Sequence, residues 1–399
     1  MKKKTEKRKR WCRLRHRVIQ ALLRPAFRLY CRVKYGFTAR PFRDKRQFLA
    51  IMNHQTAFDQ FFVSLVLRRP VYFLASEDLF SLGLLSRLLS YATAPIPIRK
   101  SATDVRAVLT SKRVAAEGGT VAVFPEGNRT YSGRTGYIKP SIVPFVRALK
   151  LPLAIIRCCG GYGVQPRWSD GCRRGRMTAG VTRIVEPEEY AALSDEELFA
   201  LIREALYVDE GCPSGEYRSD RLAEHLERAI YYCPFCGMAR HTSSGNFITC
   251  TACGHTVEYL PTKELRGCAR AHPYRFVGEW YLAQEEALRA LDLAPYGDTP
   301  LFCDTVDTFD CETGKKKRRT AEGVVLSAYA DRFSVCGESL AFSEVTGVSV
   351  LGRNKLNIYL GARVLQLAGD ASLNVLKYMN LYYSAREREG KENAGFLGI

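Results

Sequence analysis

The sequence predicts an α/β fold, a mixed sheet with flanking helices, followed by a small four-cysteine unit and a β-rich unit that ends in a helix. Three observations predict it. Two short apolar runs, 47–52 (QFLAIM) and 120–124 (TVAVF), have the length of buried strands, and each ends in a polar cluster. Two Cys-x2-Cys pairs stand thirteen residues apart. From about Thr299 the chain breaks into short alternating segments separated by turn residues. With 399 residues there is room for two or three domains.

Segment 1–45 reads as basic and amphipathic. Residues 1–46 hold 18 Lys and Arg against 2 Asp and Glu, which is +16 of the net +19. A polybasic run from Lys2 to Arg10 leads into Trp11, Leu14, Val18, Ile19, Leu22, Leu23, Phe27 and Leu29, set among Arg13, Arg15, Arg17, Arg24, Arg28 and Arg32. This mixture suits an arm on nucleic acid or a helix in the headgroup region of an anionic membrane. Pro25 is expected to kink that helix or divide it. The apolar run 18–23 is too short for a signal peptide, and no small-residue cleavage site follows. No stretch approaches about twenty uninterrupted apolar residues, so no spanning helix is expected.

Segment 46–228 forms the α/β domain. Its first strand runs into Asn53, His54, Gln55, Thr56, Ala57, Phe58 and Asp59. A helix is expected from about Thr56, a good N-cap. Were both helical, His54 and Asp59 would lie about 140° apart. With His54 in the loop and Asp59 in the first turns they can meet, the carboxylate fixing the tautomer and the other ring nitrogen accepting a proton. The second strand runs into Phe124, Pro125, Glu126, Gly127, Asn128, Arg129 and Thr130. Pro125 and Gly127 make a turn that lets the backbone approach a ligand, and Arg129 suits phosphate oxygens. Glu126 is a candidate either to hold a substrate hydroxyl or to brace an arginine. Arg99 is a second candidate for the phosphate, with Lys100 beside it.

Between the motifs, 79–98 reads as an amphipathic helix leading into a strand, one that lines an apolar tunnel, dips into a bilayer or packs in the core. Gly160 to Arg167 with Arg173, Arg174 and Arg176 form a glycine- and arginine-rich stretch, bordering either the phosphate site or a carrier-protein surface. Residues 194–207 carry a capping box, Ser194 with Glu197, and close the domain as a helix. Leu222, Leu226 and Ile230 predict another helix over 219–231.

The two motifs together resemble the glycerolipid acyltransferase family, lysophosphatidate acyltransferase type, which carries His-x4-Asp and Phe-Pro-Glu-Gly-x-Arg-Ser/Thr blocks. Asn128 stands where Thr is commoner, and Thr130 where Ser is commoner. Ile98-Arg99-Lys100 looks like the family's basic block and Leu151-Pro152-Leu153 like its Val-Pro-Ile/Val block, so the resemblance spans roughly residues 46–210. It implies acyl transfer from a thioester, acyl-CoA or acyl carrier protein, to the free hydroxyl of a lysophospholipid, with lysophosphatidate giving phosphatidate as the first choice. His54 would be the base and Asp59 its orienter. Glu126, Gly127, Arg129 and Arg99 would bind the acceptor. No catalytic cofactor and no acyl-enzyme are implied. Lipid substrates favour the membrane over nucleic acid for the basic segment, at the cytoplasmic face of the cell membrane as a peripheral or monotopic protein.

Cys233, Cys236, Cys250 and Cys253 have the spacing of a tetrahedral four-thiolate zinc site over 229–262, and this unit resembles a zinc ribbon. Four thiolates leave no open position, so the zinc is expected to be structural, in a reducing compartment. Residues 246–249 read as a strand between the knuckles, and 263–297 as a connector containing a helix from about Val277. In 298–399, strands are expected at 324–327, 332–335, 339–342, 345–350, 356–360 and 364–367, and a helix at 372–385. That outline resembles a pleckstrin-homology or GRAM-type domain. Lys315, Lys316, Lys317, Arg318 and Arg319 form a loop run, either headgroup-binding or merely solvated. Two other readings compete: an inactive membrane adaptor, opposed by the intact motif residues, and a nucleic-acid-binding ribbon, opposed by Arg240 being the only Lys or Arg in 234–254.

Overall fold

A computed structural model describes residues 10–76, 79–80, 84–98, 104–311, 317–361 and 363–390. Arg99, Lys100, Lys315, Lys316 and the run before Arg10 lie outside the described residues.

The chain opens with helix α1 (Leu14–Tyr35), strands β1 (Phe37–Ala39) and β2 (Leu49–Met52), helix α2 (Asp59–Leu67) and strand β3 (Val71–Ser76). Helix α3 (Leu84–Thr93), strand β4 (Ile96–Ile98), helix α4 (Val105–Ala116) and strand β5 (Thr120–Val123) follow. Helix α5 (Ile142–Leu149), strand β6 (Leu153–Cys159), helix α6 (Gly161–Val164), strand β7 (Met177–Val185) and helices α7 (Pro187–Ala191) and α8 (Asp195–Leu206) complete the first unit. Seven strands form one sheet in the order β1-β7-β6-β2-β5-β3-β4. β6, β2, β5, β3 and β4 run parallel, while β7 is antiparallel to β6. Central β2 is buried on both faces, as a covered parallel sheet requires. Leu49 and Ile51 face a core with Val114 of α4, Val146 of α5 and Ile202 of α8. Ala50 and Met52 face the opposite core with Phe62 and Val66 of α2.

The sheet does not begin at residue 46. β1 pairs in parallel with β7, Phe37 opposite Met177, and Cys31, Tyr35 and Phe37 are buried in the core. Segment 1–45 is therefore not a free arm over its described part. α1 packs along α3 and β1, and one helix runs through Pro25, undivided, with the proline ring exposed.

The second unit holds β8 (Tyr232–Cys233), β9 (Gly237–Met238), β10 (His241–Ser244), β11 (Phe247–Cys250), β12 (Thr256–Tyr259) and β13 (Leu265–Gly267). β10 to β13 make an antiparallel sheet. The unit therefore runs to Gly267, beyond the boundary expected at 262. The helix expected over 219–231 is only a 3-10 turn, Leu226–Arg228. Its backbone donors are engaged elsewhere: the Leu222 N–H donates to Asn246 Oδ1, Ala223 to the Gly245 carbonyl and His225 to Ser243 Oγ. The apolar spacing marked burial, not a helix.

Helix α9 (Val277–Ala290) leads to β14 (Phe302–Cys311), β15 (Arg318–Ala328), β16 (Arg332–Val335), β17 (Glu338–Ala341), β18 (Gly347–Leu351), β19 (Lys355–Leu360), β20 (Arg363–Ala368) and helix α10 (Leu376–Arg388). The seven strands pair antiparallel in the order β17-β16-β15-β14-β20-β19-β18. One apolar core runs from the cysteine unit through α9 to this sheet and α10, and takes in Tyr131 and Trp168 of the first unit. The segments expected as separate units at 229–262, 263–297 and 298–399 share that core.

Candidate active site

β2 and β5 are parallel neighbours, with Ile51 opposite Val123. Their carboxyl ends open side by side, where ligands of open α/β sheets bind. His54 stands two residues beyond β2 and Glu126 three beyond β5, so the two sequence motifs share one crevice. Asn53 fixes the end of β2, its side chain bonding both the N–H and the carbonyl of Cys158 at 2.7 and 2.9 Å.

Asp59 is the first residue of α2, where the helix dipole favours a carboxylate. It is fully buried and accepts four hydrogen bonds. Oδ2 takes His54 Nδ1 at 2.8 Å, the Gln55 N–H at 2.6 Å and the Thr56 N–H at 2.9 Å, and Oδ1 takes the Thr56 hydroxyl. Thr56 is thus not the N-cap that its sequence position suggested; Phe58 holds that place, and both polar groups of Thr56 point at Asp59. Because Asp59 offers only acceptors, the network assigns the imidazole proton to Nδ1 and leaves Nε2 as an acceptor. The ring stacks on Phe124, centroids 4.6 Å apart. Burial pulls the His54 pKa below its usual 6.5; the bond to Asp59 raises it, and the charges of Arg129 and Arg167 lower it. The net lowering favours the neutral imidazole, the form that can accept a proton. Among the described residues no serine or cysteine hydrogen-bonds this ring.

The second motif grips the same histidine. Glu126, 3% exposed, accepts the His54 N–H through Oε1 at 2.6 Å and the Gly136 N–H through Oε2 at 2.7 Å. Thr130 N–H donates to the His54 carbonyl at 3.0 Å. Glu126 thus braces the backbone of His54 rather than an arginine. Burial pushes its carboxyl up to about 8, against the pull of its two N–H donors. Gly127 has φ +65°, in the region that glycine occupies without strain, and its N–H closes a turn onto the Phe124 carbonyl at 2.9 Å. Arg129 follows that turn. Its guanidinium has no hydrogen-bond or ion-pair partner among the described residues, and burial with the nearby charge of Arg167 lowers its pKa to about 10. With Glu126 it lines a cavity of about 510 Å³. An oriented imidazole with Nε2 left as an acceptor, within the electrostatic reach of an unpaired guanidinium, can take a proton from a hydroxyl on an anionic substrate.

Arg167 was visible only as one arginine of a glycine- and arginine-rich stretch. It is buried, its Nη1 donates to the Arg129 carbonyl at 2.9 Å, and its Nε and Nη2 donate to the carbonyls of Gly352 and Val350 at 2.9 and 2.8 Å. Tyr131 lies under its guanidinium, 4.4 Å away, and donates its own hydroxyl to the Arg353 carbonyl at 2.6 Å. Arg173 of the same stretch is also interior, stacked on Trp168 and Tyr259, while Arg174 and Arg176 are exposed. A buried pair, Lys263 with Glu210 at 3.1 Å, ties the cysteine unit to the first; Glu210 also accepts the Gly160 N–H at 2.5 Å. Nothing in the spacing of Glu210 and Lys263 announces that pair.

The Sγ atoms of Cys233, Cys236, Cys250 and Cys253 lie within 4.8 Å of one another. Cys233 and Cys253 are 3.7 Å apart, Cys236 and Cys250 3.5 Å. Tetrahedral zinc–thiolate bonds of about 2.3 Å place sulfurs roughly 3.8 Å apart, so the four residues fit such an ion. Arg270 Nη2 donates to Cys253 Sγ at 3.3 Å and would offset thiolate charge.

Residues 36–158 match the model of the family described as Acyltransferase. No curated protein matches the chain. Among solved structures, the 1-acyl-sn-glycerophosphate (LPA) acyltransferase PlsC from Thermotoga maritima aligns at 21% identity over 47% of this chain and 75% of its own, with a TM-score of 0.39.

Proposed function

We propose, from the family match over residues 36–158 and the crevice it contains, that this chain is an O-acyltransferase acting on lysophospholipids. The acyl group passes from a thioester, acyl-CoA or acyl carrier protein, to a free acceptor hydroxyl, in the first instance that of 1-acylglycerol-3-phosphate, giving phosphatidate. His54 Nε2 takes the hydroxyl proton. The oxygen attacks the thioester carbonyl, the C–S bond breaks, and the proton returns to the departing thiolate. Asp59 holds the ring and stabilises the imidazolium formed on the way. Arg129 binds the acceptor phosphate, Glu126 and Gly127 shape the turn that presents it, and Arg99 remains a candidate second cation. The carrying observation is the 2.8 Å His54–Asp59 bond, held in one frame with the unpaired Arg129.

Zinc at the four cysteines would serve folding, since four thiolates leave no position for a substrate. The antiparallel seven-stranded sheet followed by α10 supports reading the C-terminal unit as a pleckstrin-homology or GRAM-type domain. The protein would work peripherally on an anionic, cytoplasmic membrane surface. Leu14, Leu22, Leu29 and Val33 of α1 and Leu84 and Leu88 of α3 are exposed among arginines, which supports this. No helix among the described residues is long and apolar enough to cross a membrane.

The test is acyl transfer by purified protein in vesicles, wild type beside His54→Ala, with lysophosphatidate and other lysolipids offered with both donors. Loss of product by about 10²–10⁴ in the variant is expected. No product from any wild-type pairing, in folded protein that binds the vesicles, would overturn the enzyme reading.

A further inference from the structure

The cavity beside Arg129 is not closed by the acyltransferase unit alone. Its far wall is α9 and α10, contributing Tyr281, Glu285, Asn380 and Ser384. A cavity of about 510 Å³ falls within the range that holds whole small molecules, about 300–1,000 Å³. It is several times larger than a phosphate group fills. Arg129 marks one side as cationic. The opposite side carries two acids, Glu285 and Glu387, which share Arg289 at 3.9 and 3.4 Å. Burial raises the Glu285 pKa, while Arg289 and a hydrogen bond with Tyr281 lower it. A hydrogen-bond donor on a ligand would offset that burial. The Arg129 side of the cavity is fixed in place, because Arg167 bonds the Arg129 carbonyl together with the Val350 and Gly352 carbonyls at the β18–β19 turn.

We propose that this cavity is the acceptor headgroup site. α9 and α10 select a lysophospholipid whose phosphate is a diester carrying a further hydrogen-bond donor, a hydroxyl or an ammonium group. The inference rests on the acyl-transfer reading above, and it deepens it: the phosphate monoester satisfies Arg129 alone, whereas the diester also reaches Glu285 and Asn380. The C-terminal unit then belongs to the active site.

The test uses the full chain with four acceptors of equal acyl length: lysophosphatidate and the glycerol, ethanolamine and choline lysophosphodiesters. The glycerol and ethanolamine compounds carry the donor; choline, of similar size, carries none. Wild type is expected to prefer the first two over choline by about tenfold or more in kcat/KM. Glu285→Ala is expected to lower their kcat/KM relative to lysophosphatidate by roughly tenfold. Should that variant not fold, Ser384→Leu, which narrows the same wall, is expected to depress diester transfer more than monoester transfer. Transfer to lysophosphatidate alone, equal use of choline, or unmoved ratios in the variants would each overturn the headgroup site and leave acyl transfer standing. No transfer to any acceptor would overturn both.

Discussion

Replacing Asp59 by asparagine separates what its charge does from what its geometry does. Three N–H groups converge on Oδ2, and a hydroxyl points at Oδ1. An asparagine with its carbonyl in the Oδ2 position still accepts all three. Its NH2 then faces the Thr56 hydroxyl, which can rotate to accept. His54 keeps its tautomer and place, so the variant should fold with little loss. What disappears is the negative charge beside an imidazolium that forms only as the hydroxyl proton moves. Charge centres about 4 Å apart at an effective dielectric near 20 interact by about 4 kcal/mol. That is close to a thousandfold in kcat, at about 1.4 kcal/mol per tenfold. The acid limb of the pH–rate profile should move as well. Asp59 raises the His54 pKa against a burial effect that lowers it, so its removal shifts the limb further below the usual imidazole value of about 6.5. The assay is single-turnover acyl transfer across pH, with melting curves to verify the fold. A folded Asp59→Asn variant with near-wild-type kcat and an unmoved limb would refute the argument. Asp59→Ala is the contrast: it orphans four buried donors at about 1–3 kcal/mol each and is expected not to fold.

Four further outcomes are expected. Glu126→Gln must turn its NH2 toward the N–H of either His54 or Gly136, costing about 1–3 kcal/mol and loosening the base; kcat and melting temperature should fall together. The raised Glu126 pKa also means that this group's contribution to wild-type stability is present below about 4.5 and lost as pH rises through about 8, so melting curves of wild type against the glutamine variant over that range should change their spacing in that direction. Metal analysis should find one zinc per chain, and its chelation should unfold the cysteine unit together with α9 and the C-terminal sheet in one transition, because they share a core and such a site is worth on the order of 10 kcal/mol; a protein equally stable without metal would contradict this. Lys263→Met leaves Glu210 buried and unpaired, at a cost of about 3–5 kcal/mol in denaturant titration, and adding Glu210→Gln should recover part of it.

The parts of this molecule legible in its sequence are those set by short local patterns. The 2.0-residue alternation gave β16 at 332–335 and β19 almost to the residue, and the Ser194–Glu197 box placed α8. His54 and Asp59 meet because a strand end and a helix start fix both, and each is announced locally. β14 was missed because Asp307 and Asp310 interrupt its pattern; both face outward and pair with Arg319, Arg318 and Arg363. Residues 219–231 misled in the opposite direction, since their helical spacing serves a buried loop whose donors belong to a hairpin twenty residues on. Arg167, Glu210 and Lys263 act across separations of 38 to 185 residues, and no local pattern encodes a partner that distant.

His54 is held at both its backbone N–H and its carbonyl by the loop that carries Arg129. Base and anion site therefore cannot drift apart by independent loop motion. They act as the two jaws of a caliper set to one opening. If the chain transfers acyl groups to lysophospholipids as proposed, an acceptor would have to present its hydroxyl and its phosphate at that spacing, so regioisomers that differ only in which glycerol carbon bears the free hydroxyl would be discriminated by length before any headgroup or acyl chain is felt.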